Sequence, residues 1–256
     1  MPDVQWYHSL ELTPGEVTPG WFDLRGVADE VPWPDLRGKR CLDVGTFDGF
    51  WAFEMERRGA AEVRAVDLLD PHRWDWPADR PDDVVTALAA RKRDGDGFEV
   101  ARQALGSKVV REPRSIYELD PEHDGTFDLV YVGSLLLHLR DPVGALAAAR
   151  RVCGGQLLLV DAIDPTLTRF APRTPLARLD GQLRPWWWWP NLAALVRMAE
   201  AAGFELERSP VRLRMPPGAG QKRHGWRILR SREGRRMYFS ARIGDPHAAL
   251  LLRPTR

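Results

Sequence analysis

An α/β fold built on a doubly wound, mostly parallel sheet is what this sequence predicts, and three observations predict it. Short apolar runs alternate with stretches of helical periodicity from residue 39 onward. The first run, "KRCLDVG", ends in a glycine turn and leads straight into the helical "FWAFEMERRGA". The chain of 256 residues is 44% hydrophobic, enough to bury a full core.

Residues 1–38 are rich in Pro, Gly and Trp without long periodicity, and read as an irregular N-terminal arm docked on a domain of residues 39–256. After the first strand and helix, "AEVRAVDLLD" is a second strand ending in acid. "PDDVVTALAARKR" and "FEVARQALG" read as helices, "SKVVRE" as a third strand and "TFDLVYVG" as a fourth. In "DPVGALAAARRV", Asp141 is the N-cap and Pro142 the first helical residue. "GQLLLVDAI" is a fifth strand, and "NLAALVRMAEAAGF" a helix closed by Gly203. "ELERSPVRLRM" and "HAALLLRP" complete the sheet as two further strands.

Composition narrows the functional classes. No apolar run approaches the ~18 residues of a membrane helix, and "MPDVQWYHSLEL" lacks the regions of a signal peptide, so a soluble cytoplasmic protein with no membrane partner is expected. Cys41 and Cys153 are the only cysteines, which offers neither a disulfide framework nor a zinc cluster, and no metal is expected. Net charge is +1, but Phe204–Arg256 carries 13 Lys plus Arg against 4 Asp plus Glu. That surplus of +9 is either a solvated basic surface or the mark of an anionic partner.

"LDVGTFDGFW" is the chemical centre. Ligands of open α/β sheets bind at the carboxyl ends of the strands. Gly45 allows a sharp turn there, and Gly49 a close backbone approach to a ligand. Asp43 suits a cation or an amine. Asp67, 22 residues after Gly45, ends the second strand, where a carboxylate accepts both hydroxyls of a ribose. Asp-x-Gly-x-x-x-Gly is not a dinucleotide fingerprint, and an acid at position 43 fits a ligand with a positive amino group, such as S-adenosylmethionine (SAM), better than a pyrophosphate.

On "LDVGTFDGFWAFEMERRGA", "VDLLDP", "FDLVYVGSLLLHLRDPVGAL", "WWPN" and "AALLLRP", the chain resembles the class I SAM-dependent methyltransferases. Within them it is similar to the tRNA wobble-uridine carboxymethyltransferases and their small actinobacterial relatives. The resemblance implies a Rossmann-like seven-stranded sheet in the order 3-2-1-4-5-7-6, last strand antiparallel. It implies SAM held by Asp43, Gly45, Thr46, Phe47 and Gly49 at the methionine part, by Asp67 and Leu68 at the ribose and adenine, and by Ser115, Ile116 and Tyr117 at the adenine edge. Gly133 and Ser134 are implied to face the sulfonium. Phe47 stands where the usual turn has its middle glycine, Leu137 where the tRNA enzymes have a tyrosine, and the segment before the glycine turn is short; these departures favour plain SAM and a small acceptor over carboxy-SAM and tRNA.

A hydroxyl acceptor must lose its proton, and histidine suits that task. His138, just past strand four, is the first candidate base and reads equally as a cap on a buried apolar run; His8, which an arm folded over the cofactor would bring near the acceptor, is the second. His72, His123, His224 and His247 read as loop or tail residues. Asp161 and Asp164 bind an acceptor hydroxyl or cap strand ends. In "RPWWWWPN", four tryptophans between prolines are too short a run, without a flanking amphipathic helix, to anchor a membrane. Trp188 and Trp189 are expected to wall the acceptor cleft, with Trp21 on the arm beside it and Trp33, Trp51, Trp74 and Trp76 also at the carboxyl edge. The predicted function is methyl transfer to a small hydroxyl acceptor. The alternatives are tRNA wobble-uridine modification, and SAM binding without catalysis.

Overall fold

The structure, a computed structural model, describes residues 4–94, 96–182, 185–222 and 225–255. The arm forms a small antiparallel hairpin, β1 (Glu11–Thr13) and β2 (Glu16–Val17). Then follow β3 (Arg40–Val44), α1 (Phe50–Arg57), β4 (Glu62–Val66), α2 (Asp82–Asp94), α3 (Gly97–Ala104), β5 (Val110–Glu112), α4 (Pro121–Asp124) and β6 (Phe127–Gly133). The second half runs α5 (Pro142–Val152), β7 (Cys153–Ala162), α6 (Pro165–Phe170), β8 (Ala177–Leu179), β9 (Trp188–Pro190), α7 (Leu192–Ala201), β10 (Phe204–Leu206), β11 (Val211–Met215), α8 (Arg232–Ile243) and β12 (Asp245–Pro254).

The main sheet has the order β10-β12-β7-β6-β3-β4-β5, with β11 also paired to β12. β3 to β7 are parallel, and β12 runs antiparallel to β7, β10 and β11. This is the expected strand order, with one difference. "ELERSPVRLRM" is two strands, because Pro210 has no amide to donate and the pairing jumps from Leu206↔Leu252 to Val211↔Ala249. α8 was not anticipated: its mixed sequence "REGRRMYFSARI" has no continuous apolar stripe to signal a helix.

Alternation along each central strand divides the core into two layers. Cys41, Leu129, Tyr131, Leu158 and Val160 face α1, α3 and the arm, which contributes Leu10, Leu24, Val27 and Leu36. Leu42, Val44, Val130, Val132, Leu157 and Leu159 face α5 and α7 through Leu146, Val152, Leu195 and Ala199. The expected start of α5 is present: Asp141 accepts the Gly144 amide at 2.8 Å, with Pro142 at the first helical position.

Asn191 caps α7 and does more besides. Its Oδ1 accepts from the Ala194 amide at 2.8 Å and the Leu176 amide at 3.1 Å, while Nδ2 donates to the Ala171 and Thr174 carbonyls. Fully buried, it fastens the segment after α6 to the tryptophan run. Asn191→Ala removes the cap and strands buried backbone groups, so it should cost about 3 kcal/mol of unfolding free energy, measured by urea denaturation.

Candidate active site

The turn after β3 is pinned to the next strand. The Gly45 and Thr46 amides donate to the Val66 carbonyl at 2.8 and 3.3 Å, with Gly45 at φ +78°. Gly49 lies at φ +90°, and a Cβ there would stand 2.4 Å from the Phe53 ring and 2.8 Å from Phe98. Its missing side chain leaves room for the packing of α1 on α3. Phe47 (φ +50°) and Ser134 (φ +49°) are the two non-glycine residues with left-handed backbone among the described residues, and both lie at the carboxyl edge. Each such conformation costs roughly 1–3 kcal/mol, which singles out this edge as the place where the fold tolerates strain.

Asp43 ends β3 almost fully buried, and its Oδ2 has no hydrogen-bond partner among the described residues. Burial pushes its carboxyl up to about 7, assisted by Asp67 and opposed by Thr46 and His8. Beside it, sequence reasoning missed Asp48. This carboxylate, 2% exposed, accepts the Tyr7 amide at 2.9 Å and the His8 amide at 2.7 Å, and its other oxygen meets His8 Nδ1. The arm thus places His8, itself buried, on the same turn as Asp43. The signal was faint: an Asp in a glycine turn and a His 40 positions away share no local pattern.

Asp67 and Leu68 are half-buried beyond β4; the Asp67 amide donates to Glu112 at 3.2 Å, and the Leu68 carbonyl accepts from Trp74 Nε1. Ser115 caps a 3₁₀ turn over Ile116–Glu118, closed by Glu118 in a reciprocal capping box. The Tyr117 hydroxyl donates to Asp75 at 2.9 Å and accepts the Asp141 amide. At the end of β6, Gly133 leads to Ser134, whose hydroxyl lies 3.0 Å from His247 Nε2. His247 is therefore no tail residue: β12 begins at Asp245 and carries it into the interior. His72 and His123 are exposed as expected, and His224 lies outside the described residues.

Asp161 holds the β6 loop. One oxygen accepts the Leu135 and Leu136 amides at 3.0 and 2.8 Å, the other the Ala162 amide at 2.7 Å. Burial pushes its carboxyl up to about 6, with those amides pulling it back. Asp164 caps α6 and pairs with Arg178 at 2.9 Å. His138 is anchored by Nδ1 to the Pro185 carbonyl at 2.8 Å; burial lowers its pKa to about 4, against the pull of that carbonyl. It is neutral at pH 7 and a weaker base than an ordinary histidine.

The tryptophan run follows strand logic. Adjacent residues of β9 project to opposite sides, so Trp188 and Trp189 cannot both wall one cleft. Trp189 is buried with Leu137 and Ala162, and pairs edge-to-face with Trp186 at 6.4 Å. The Arg236 guanidinium of α8 sits 3.8 Å from the Trp189 ring and 4.3 Å from that of Trp186. Trp187 and Trp188 are turned to the Asp75 and Arg140 carbonyls. Trp21 is 42% exposed, its ring 6.2 Å from Tyr7. Trp33 and Trp51 pack against Tyr131 in the core layer beneath the arm. Arg184, which begins the run, lies outside the described residues.

This sheet order, with an acid-tipped first strand, a glycine turn and a second acid at the neighbouring strand end, defines a class I SAM-dependent methyltransferase. A methyltransferase-domain family model matches residues 24–209, and the chain belongs to that family. It is 28% identical over 201 residues to the tRNA U34 carboxymethyltransferase of Pseudomonas paraeruginosa, covering 72% of this chain and 54% of that protein. Against the enzyme of the same name from Dichelobacter nodosus it is 28% identical over 207 residues, with coverages of 73% and 57%. The chain therefore spans little more than half the length of these curated relatives. Among solved structures, it overlays 1,6-didemethyltoxoflavin-N1-methyltransferase of Burkholderia thailandensis at a TM-score of 0.55 and 15% identity, covering 91% and 78% of the two chains. It overlays the [4+2]-cyclase SpnF at 0.56 and 21%, covering 91% and 80%. At those identities the likeness is one of fold. No helix of the described residues is long and apolar enough to cross a membrane.

Because Trp189 is buried and Trp188 is not, Trp189→Ala should cost ~3–5 kcal/mol through the cavity it leaves. Trp188→Ala should cost clearly less. Denaturant titration of the two variants measures the difference.

Proposed function

We propose that the protein moves the methyl group of SAM to a hydroxyl of a small-molecule acceptor, with His8 as the base. The observation that carries this reading is the buried His8–Asp48 pair on the glycine turn. SAM supplies a methyl group activated by the sulfonium. The unpaired Oδ2 of Asp43 fits the cofactor's ammonium group. Asp67 takes the ribose hydroxyls, Leu68 borders the adenine, and the Ser115–Ile116–Tyr117 turn closes the adenine edge. Gly45, Thr46 and Phe47 shape the floor beneath the methionine part, and Gly133 and Ser134 lie toward the sulfonium.

With Nδ1 directed to Asp48, His8 keeps Nε2 as its basic atom. Asp48 fixes the tautomer and stabilises the imidazolium that forms, as the orienting carboxylate does in other nucleophile-activating triads. The acceptor hydroxyl gives its proton to Nε2, its oxygen takes the methyl, and the S–C bond electrons stay with sulfur. Holding oxygen, methyl and sulfur in line contributes ~7–11 kcal/mol. His138 is a weaker base than an ordinary histidine because burial lowers its pKa to about 4; its Nδ1 contact to Pro185 suits it to orient an acceptor instead. Asp161 acts through the Leu135–Leu136 backbone it holds. Trp189, Trp186 and Trp21 border the acceptor side, and Leu137, packed on Ala162 and Trp189, favours SAM without an added carboxylate.

A second reading, modification of a wobble uridine in tRNA, is supported by the likeness to the tRNA U34 carboxymethyltransferases and the +9 surplus of residues 204–256. The two separate by salt: RNA binding weakens steeply as ionic strength rises, and turnover of a neutral small acceptor does not. A protein that binds SAM but turns over neither acceptor class would leave the third reading, binding without catalysis.

His8→Asn and Asp48→Asn should each lower turnover by roughly 10²–10⁴ while SAM still binds. His8→Asn turning over at the wild-type rate removes His8 from the chemistry. A second expectation concerns pH. Asp43 is held at about 7 in the free protein, against an ordinary value of 3.8. Between these values the folded state binds the extra proton, so this carboxyl favours folding at the acid end and opposes it as pH rises through about 7. An ammonium docking on Asp43 reverses the preference and expels the proton. SAM affinity should therefore climb as pH rises toward 7 and level off above it, with proton release detectable by calorimetry in buffers of different ionisation enthalpy. Asp43→Asn should bind more weakly and lose the slope.

A further inference from the structure

Tyr131 is the largest fully buried side chain of the core, and its hydroxyl has no hydrogen-bond partner among the described residues. An unmade hydrogen bond of this kind lowers stability, and a phenylalanine would fill the same space without that cost. The ring is clamped, stacked on Trp33 at 5.9 Å and tilted against Trp51 at 5.0 Å, so the hydroxyl cannot swing away to find a partner.

Its direction is set by the glycine two residues on. A Cβ on Gly133 would stand 2.5 Å from Tyr131 Oη, so the hydroxyl reaches toward the carboxyl edge into space that only glycine leaves open. Across the parallel pair, Tyr131 is in register with Asp43, and registered residues leave the sheet on the same face. The Oδ2 of Asp43 is likewise buried and unpaired. Burial, with Asp43 and Asp161 adding to it, raises the phenol well above its ordinary value, so it stays protonated. Two unsatisfied polar atoms on neighbouring strands share one side of the sheet at its ligand-binding edge.

We propose that Tyr131 Oη and Asp43 Oδ2 form one polar recess that receives the α-ammonium group of the cofactor, making Tyr131 a binding and specificity residue. An ammonium has three donors. One satisfies the carboxylate and a second the lone pair of the phenol, whose own proton remains available to Asp43. The recess admits a cation with N–H donors and resists an analogue that lacks them, because both atoms would then stay buried and unpaired. This inference rests on the SAM reading above.

The experiment compares wild type with Tyr131→Phe, using S-adenosylhomocysteine and its deaminated analogue in calorimetry, and the melting temperature of the free proteins. Tyr131→Phe should weaken S-adenosylhomocysteine about tenfold, leave the deaminated analogue unchanged, and keep or raise the melting temperature. Those opposite signs separate a ligand-binding hydroxyl from a structural one. Unchanged affinity for S-adenosylhomocysteine, equal losses for both ligands, or a lowered melting temperature overturns the assignment. If wild type itself fails to bind S-adenosylhomocysteine, the SAM reading falls and takes this inference with it. Normal wild-type binding with Tyr131→Phe at par sinks the Tyr131 assignment alone.

Discussion

Asp48 joins the two parts of this molecule on which everything else rests. It is a buried carboxylate, and a buried charge persists only where donors surround it. Two backbone amides and one imidazole of the arm supply them. In exchange, the arm is held over α1 and delivers Leu10, Leu24, Val27 and Leu36 to one face of the sheet. Trp33 follows on the same arm and stacks on Tyr131, so the grip at the glycine turn extends to the centre of the core. Loss of this single contact would disturb the proposed base, the cover of the turn and a core layer together.

Asp161, Asp48 and Asp43 are buried at the carboxyl edge, and each is treated differently. Asp161 is satisfied by backbone amides and becomes part of the scaffold. Asp48 is satisfied by another segment of the chain and becomes a joint. Asp43 is left with an open oxygen, and its carboxyl rises further than that of Asp161. Strain follows the same geography, since the left-handed residues Phe47 and Ser134 flank this edge. Protein interiors concentrate unsatisfied groups and strained backbone at functional sites, because elsewhere they lower stability without return.

Much of this was legible in sequence. Strand positions from β3 to β7, the cap at Asp141, and the acid-tipped strands around Gly45 are local patterns, and local patterns survive folding. The failures share a cause, which is dependence on a partner distant in the chain. Asp48 acquires meaning only through His8. His247 reads as a loop or tail residue in sequence, because nothing nearby shows that β7 pairs with it. α8 is recognisable only once Arg236 is seen against Trp186 and Trp189. Trp188 and Trp189 are distinguishable in the sequence itself, since a strand's alternation separates neighbours.

The position of β12 has a consequence for how the protein comes into being. It is the last of the twelve strands along the chain, yet it lies inside the sheet, between β7 and the β10–β11 edge. Until residues 245–254 emerge from the ribosome, β7 presents a bare and mostly apolar edge, and β10 and β11 have no strand to pair with. Such an edge is a template for pairing with other chains. The nascent protein therefore completes this sheet only once residues 245–254 have been made. That interval, rather than the finished fold, is where a chaperone has most to protect.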